Sequence, residues 1–460
     1  MTQYTDEFGY PISIASMAAL NCWNATVRGF LSHGAETPHH LSAVFDADPN
    51  CVRAYVAKGF FCQLLGRREM RDAATDAHAK ALEKADLVGA DAYDRTLLRA
   101  LSDLINGHGS VAADRLDAML PTRPADAFLV KLIHAIRFVM GDNQGMRASI
   151  EGVIEAFKDD APASGFIHGC HAFALEETGD FEAAERAGRK ALDMEPNDAW
   201  GLHAVAHVHD MCGTSSDGIR WLEGREAAWR HCNNFSYHVW WHLALFYLDR
   251  GDHDAVLNLY DTEVRPVHTD DYRDISNAAS LLWRLQLEGC DVGTRWEEMA
   301  VIAENRVEDQ CLAFADLHYM LALLGGSKTD AATQLLHSMR QTAAGSINDL
   351  GHVDRSVGVP MAYGLTAFAA GDYGTASAVM AKSMHQLQKV GGSHAQRDVF
   401  ERIAIEACLR SGADLEMESL LDHRAARRGG TDAYAHSKRA ALNTLRNAQP
   451  LHLAPVGAAF

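Results

Sequence analysis

The run GDFEAAERAGRKALDMEPNDAWGLHAVAHVHDM, residues 179–211, decides the fold. It opens on Gly179-Asp180-Phe181, where a glycine permits the backbone reversal between two antiparallel helices. A helical stretch follows from Glu182 to Met194 and ends at Pro196-Asn197, because proline cannot continue a helix. A second apolar-periodic stretch then starts at Ala199. Upstream, Gly165 to the Gly179 turn reads as the first helix of a pair. Ala172 on that helix and Ala184 on the next are small, so the two backbones can approach closely.

Gly165 to Asp198 spans 34 residues, the period of the tetratricopeptide unit. The pattern returns from Ala199, with Ala206 and Gly218 at the small positions, and again near Tyr237, turning at Gly251-Asp252. It returns once more around Gly371-Asp372-Tyr373, flanked by Gly364 and Ala376, and an early copy is marked by Asp48-Pro49-Asn50, Tyr55 and Gly59. The spacing predicts an all-α, tetratricopeptide-like α-solenoid of stacked antiparallel helix pairs, continuous over residues 1–446. The clearest repeats are 165–252 and 357–390. Residues 1–13 read as an extended lead-in, 345–358 as a loop, and 447–460 as a flexible tail.

A net charge of −19 over 460 residues opposes binding to nucleic acid or to an anionic membrane surface, both of which require clustered cations. The nine cysteines contain no C-x-x-C pair, which fits a reducing cytoplasm. Asp6 and Glu7 stand where a signal peptide would carry a basic cap, and no run of 18 apolar residues is present to span a bilayer. The cations of the last stretch, Arg424, Arg427, Arg428, Lys438, Arg439 and Arg446, read as a solvated capping segment.

Six motifs add a wider likeness: FGYPIS (8–13), DPNCVRAYVAKGF (48–60), NDAWGLHAVAHVHDM (197–211), YHVWWHLALF (237–246), FADLH (314–318) and GGSHAQRDVF (391–400). In this order they resemble the tetratricopeptide repeat protein 38 family. That resemblance implies an all-helical solenoid and hands over no defined reaction. Ordinary members of the wider repeat class are protein-binding scaffolds, and they use a concave face lined by unit positions 2, 5, 9 and 12 of each first helix.

In that register Trp200, His203, His207 and Asp210 share one helical side, and His238 and Trp241 take the matching positions of the next unit, with His242 one step aside. Glu176 and Glu177 end the preceding helix. His168, His171 and His209 fall at packing positions. Residues four apart lie about 6 Å apart along a helix, and packed helices sit about 8–10 Å apart. The two pairs, His203/His207 and His238/His242, can therefore meet around one centre.

Three readings of this group stand side by side. The imidazoles pack as hydrogen-bonded core. Alternatively, His203, His207, Asp210, His238 and His242 do acid–base chemistry without a metal. In the third, His203, His207, His238 and His242 hold a divalent cation such as zinc, iron or manganese, with Asp210 or Asp316 as oxygen ligand. Trp200, Trp241, Glu176, Asp316, His318, Gln396, Arg397 and Asp398 are expected to contact a ligand, the last five by closing over the groove if the solenoid curls tightly. The competing account of GGSHAQRDVF is a helix cap with an internal ion pair. Other signatures fail: Gly325-Gly326-Ser327-Lys328-Thr329 lacks the glycine directly before lysine, H-E-x-x-H is absent, and Cys170 and His171 point apart as helical neighbours. The expectation is a small molecule in the groove, with hydrolase-type chemistry, and the alternative is a scaffold binding a peptide there. Whether the chain is an enzyme and whether it forms a homo-oligomer stay open.

Overall fold

The computed structural model describes residues 2–158, 160–430 and 432–448. Helices stack in antiparallel pairs through nearly all of it, an all-α helical-repeat solenoid. The lead-in is more ordered than expected. Thr2–Thr5 and Pro11–Ile14 pair as an antiparallel hairpin with Thr5 opposite Pro11, because Asp6 Oδ1 accepts from the Phe8 and Tyr10 N–H groups at 3.1 and 2.8 Å. The expected loop at 345–358 is largely helical. Asn348 caps Asp349–Val353 by accepting from Gly351 N–H, and a π turn over Asp354–Gly358 runs straight into Val359–Ala369. Pro360 is tolerated there because it sits in the first turn. The expected tail begins inside the last helix, Ala433–Ala448, and 449–460 lie outside the described residues.

Within the clearest unit, Ser164–Glu177 and Phe181–Met194 form a hairpin around Gly179 at φ +86°, and Ala199–Met211 packs on both. The tightest approach is carried by glycines. A Cβ on Gly201 would lie 3.1 Å from Gly169 Cα, and one on Gly188 would lie 2.9 Å from Gly201 O. At those distances any side chain forces the helices apart.

The stack curls until distant parts meet. Ala35 N–H donates to His231 O at 3.0 Å and Asn233 N–H to His33 O at 2.7 Å, tying the first helical pair to the middle of the chain. Asp349 N–H reaches Gly107 O at 3.0 Å, and Gln388 Nε2 reaches Gly141 O at 2.9 Å. The His394–Ser411 helix is buried from Ala395 to Cys408, and its first N–H donates to Glu177 Oε1 at 2.7 Å. The chain thus fills much of its own concave face. The basic segment is only partly solvated: Arg446 pairs at the surface with Asp414 and Glu418, whereas Arg424 is 2% exposed among Asp398, Glu401 and Asp432. Among the described residues no helix is long and apolar enough to cross a membrane.

One core feature sets a pH dependence. Asp354 is buried with neither carboxylate oxygen hydrogen-bonded among the described residues, and burial, partly offset by Arg355, pushes it up to about 7. A raised carboxyl contributes its full stability below the ordinary value near 4 and loses it as pH rises through about 7. Asp354→Asn should therefore raise stability by about 1–2 kcal/mol at pH 8.5. A tenfold change in a protonation equilibrium is worth about 1.4 kcal/mol, and an unpaired amide returns part of the gain. At pH 5 the variant should match wild type. Thermal melts at the two pH values decide it, and an equal gain at both would sink the assignment.

Candidate functional site: four imidazoles behind a cavity

His203 and His207 face His238 and His242 across two adjacent helices, Ala199–Met211 and Phe235–Asp249. The i,i+4 spacing on each helix places both rings on the shared side. One nitrogen from each ring lies within 4.8 Å of the others. His203 Nε2 is 3.0 Å from His238 Nε2 and 2.9 Å from His207 Nε2. On its far side His238 Nδ1 is 2.8 Å from Asn277 Oδ1. An amide oxygen only accepts, so Nδ1 carries the proton and Nε2 presents a lone pair to the cluster.

The arrangement is unsatisfied as pure protein. A single proton on His203 Nε2 serves one of its two nitrogen neighbours and leaves the other contact unmade. Among the described residues His203 Nδ1, His207 Nδ1 and both nitrogens of His242 have no hydrogen-bond partner, and His207 and His242 are 0% exposed. Native interiors contain few such groups. Burial holds all four imidazoles neutral: His207 falls to about 3, His238 to about 4, and His203 and His242 lie well below the usual value. Neutral, buried, convergent nitrogens are the donor chemistry that zinc, iron or manganese accepts, and the Asn277 contact is the outer-shell bond that orients a ligating imidazole.

A second group shares His207. Glu176 Oε2 lies 3.5 Å from His207 Nδ1, and Glu176, Glu177 and His207 are close enough to hold an ion. The two carboxyls differ in state. Burial, then the Glu177 charge, raises Glu176 well above the carboxylate range. Burial alone would raise Glu177 too, but His394 and Arg397 outweigh it and hold it below.

In front of the imidazoles lies a cavity of about 510 Å³, within the range of small-molecule pockets. Trp200, Phe235 and His238 form its inner wall, with Phe30, Phe61 and Phe314 among its other sides. His238 is the member of the four that reaches it, and the other three stand behind.

The remaining predicted residues divide. Trp241 is fully buried, stacked on His238 with ring centres 5.2 Å apart and covered by the Arg284 guanidinium at 5.5 Å. Gln396 lines the cavity and completes a capping box with Ser393. Arg397 Nη2 binds Glu177 Oε2 at 3.3 Å, and its Nη1 caps the Gly391 and Gly392 carbonyls. Asp210 is not with the imidazoles: Arg428 Nη1 donates to its carbonyl at 2.8 Å and pairs with its carboxylate at 3.5 Å. It is therefore not placed as the oxygen ligand. Asp316 lies apart beside Asp354, with both oxygens unpartnered among the described residues and its carboxyl raised well above the usual range by burial. His318 is wedged between Phe314 and Phe400, with Nδ1 donating to Phe314 O at 2.7 Å. Asp398 belongs to an arginine cluster rather than the cavity. Of the three packing histidines, His209 is buried and bonds Thr214 at 2.9 Å, while His168 and His171 are half-buried.

Sequence reasoning missed His33, Lys131, His134 and Asn277. Lys131 and His134 were visible as polar interruptions of the apolar run AFLVKLIHAIRFV, 127–139. His33 reaches the site only through the curl of the stack, whereas Asn277 stands on the neighbouring helix Tyr272–Leu287, 39 residues beyond His238.

No protein-family model matches the chain. Among solved structures the human IFIT1 dimer with PPP-AAAA is similar to it, with a TM-score of 0.42 at 13% identity over 94% of this chain and 96% of that one.

Proposed function

We propose that this protein is a metal-dependent enzyme of hydrolase type acting on a small molecule in the cavity, with His203, His207, His238 and His242 as the metal-holding set. The observation that supports it most is the convergence of four neutral imidazole nitrogens with His238 oriented by Asn277. A divalent metal held by imidazoles supplies Lewis acidity and an activated water near neutral pH. The chain's own groups do the rest. Trp200 and Phe235 wall the centre from bulk water, Asn277 keeps the His238 lone pair inward, and protonated Glu176 is a proton source beside His207.

The resemblance to the tetratricopeptide repeat protein 38 family agrees with this architecture and adds no activity. A peptide scaffold needs an open concave face, and the buried His394–Ser411 helix argues against a peptide lying along it. The nine unbridged cysteines support a reducing cytoplasm as the setting.

The test is elemental analysis of tag-free protein after equilibration with zinc, iron or manganese, with His207→Ala as control. About one metal per chain is expected in wild type and much less in the variant. Substoichiometric metal in both, with all three ions, removes the reading.

A further inference from the structure

The cavity has a charge that the rest of the molecule does not explain. The chain carries a net charge of −19, yet Lys58, Lys131 and Arg273 line this space and, among the described residues, no aspartate or glutamate does. Arg273 is neutralised by a two-pronged pair with Asp271 at 2.6 and 2.9 Å, and Lys58 is exposed to solvent. Lys131 is neither paired nor solvated. It is 3% exposed, and its Nζ contacts His33 Nε2 at 3.2 Å, Cys170 Sγ at 3.6 Å and the Trp200 ring at 4.6 Å. Among the described residues no carboxylate oxygen lies within 4.0 Å of it.

None of those neighbours supplies a countercharge, and the carboxyl that Lys131 favours in its charged form, Asp198, stands beyond ion-pair contact and is itself pushed up to about 7 by burial. Burial and then Lys131 itself keep His33 neutral, and burial pushes the Cys170 thiol up to about 11. His33 is also held in the left-handed region at φ +57°, where a non-glycine residue is uncommon. That conformation places its ring 4.5 Å from Phe235 and 5.2 Å from Trp200, stacked on both, with Nε2 toward the ammonium. An ammonium buried with no carboxylate in contact is costly, and strained positions concentrate at binding sites.

We infer that the cavity binds an amphipathic small molecule with an apolar body and a single anionic head, the body lying among Phe30, Phe61, Phe138 and Phe314 and the head on Lys131 Nζ. The ammonium has three donors, and the acceptors around it are weak or neutral, so an arriving carboxylate or phosphomonoester makes the charge-assisted bond that the fold leaves unmade. The inference rests on the reading of this cavity as the ligand site and names the ligand class for it.

The experiment is calorimetric titration of full-length protein with decanoate, 1-decanol and decyl phosphate, in wild type and in Lys131→Met. Methionine fills a similar volume without charge, so the variant should fold and melt no lower than wild type. Wild type should bind decanoate at least tenfold more tightly than 1-decanol, and the variant should lose that preference while keeping its affinity for the alcohol. Decyl phosphate tighter than decanoate assigns the head as a phosphomonoester, and the reverse order as a carboxylate. Equal affinity for acid and alcohol in wild type, a preference that survives in Lys131→Met, or no binding of any of the three would overturn the inference. Metal content measured on the same samples separates the two claims. Normal metal with no anionic preference removes only this inference, and an intact preference without metal removes only the metal centre.

Discussion

Asp398→Asn should destabilise the protein by about 3–5 kcal/mol, the usual cost of leaving buried cations without their countercharge. Asp398 accepts from Arg402 Nε at 2.7 Å and from Arg284 Nη2 at 3.3 Å, and also pairs with Arg424. Burial alone would raise its carboxyl, but Arg402, Arg424 and Arg284 outweigh burial and hold it well below the usual range. Arg284 is 1% exposed, and Asp398 is the carboxylate it pairs with; burial has already brought its guanidinium down to about 10. Asparagine keeps the shape and removes the charge, so the loss measures electrostatics rather than a cavity. The depressed carboxyl contributes stability above the ordinary value near 4 and loses it as pH falls further. The gap between variant and wild type should therefore be full at pH 7 and shrink below pH 4. Urea unfolding at both pH values checks it, and a loss under 1 kcal/mol at pH 7 would mean that the cluster is not holding the C-terminal helices down.

That cluster also marks where sequence reasoning stops. The hairpin around Gly179 was legible because its signals are local: small residues at the crossing, a turn glycine, a proline stop. The meeting of His203, His207, His238 and His242 followed from the same arithmetic, since i,i+4 spacing fixes a helical face and successive units lie side by side. The partners of Asp210 and Asp398 obey no such rule. Asp210 meets Arg428 across 218 residues, and Arg284 meets Asp398 across 114. Those pairings depend on how far the solenoid curls, a sum of small rotations per unit that no single motif encodes. The 345–358 stretch departs from its reading as a loop for a smaller reason: Asn348 supplies a cap and the helix before Val359 passes through a π turn.

Zinc should stabilise wild type by about 4 kcal/mol at a thousandfold excess over its Kd, and His242→Leu should abolish most of that gain while being the more stable protein without metal. His242 is 0% exposed with neither ring nitrogen hydrogen-bonded among the described residues. Each buried unpaired nitrogen costs about 1–3 kcal/mol, whereas leucine of similar bulk carries no polar atom into the same space. Metal-free His242→Leu should thus exceed metal-free wild type by about 1–2 kcal/mol, the trade expected where a site is kept for binding rather than for packing. A histidine that merely fills the core would behave oppositely: its replacement would cost stability, and zinc would move neither protein. Thermal melts of both proteins, stripped and zinc-loaded, separate the cases. Stability that falls in the stripped variant, or a zinc effect that survives the substitution, would return His242 to the core and leave only three imidazoles for the metal.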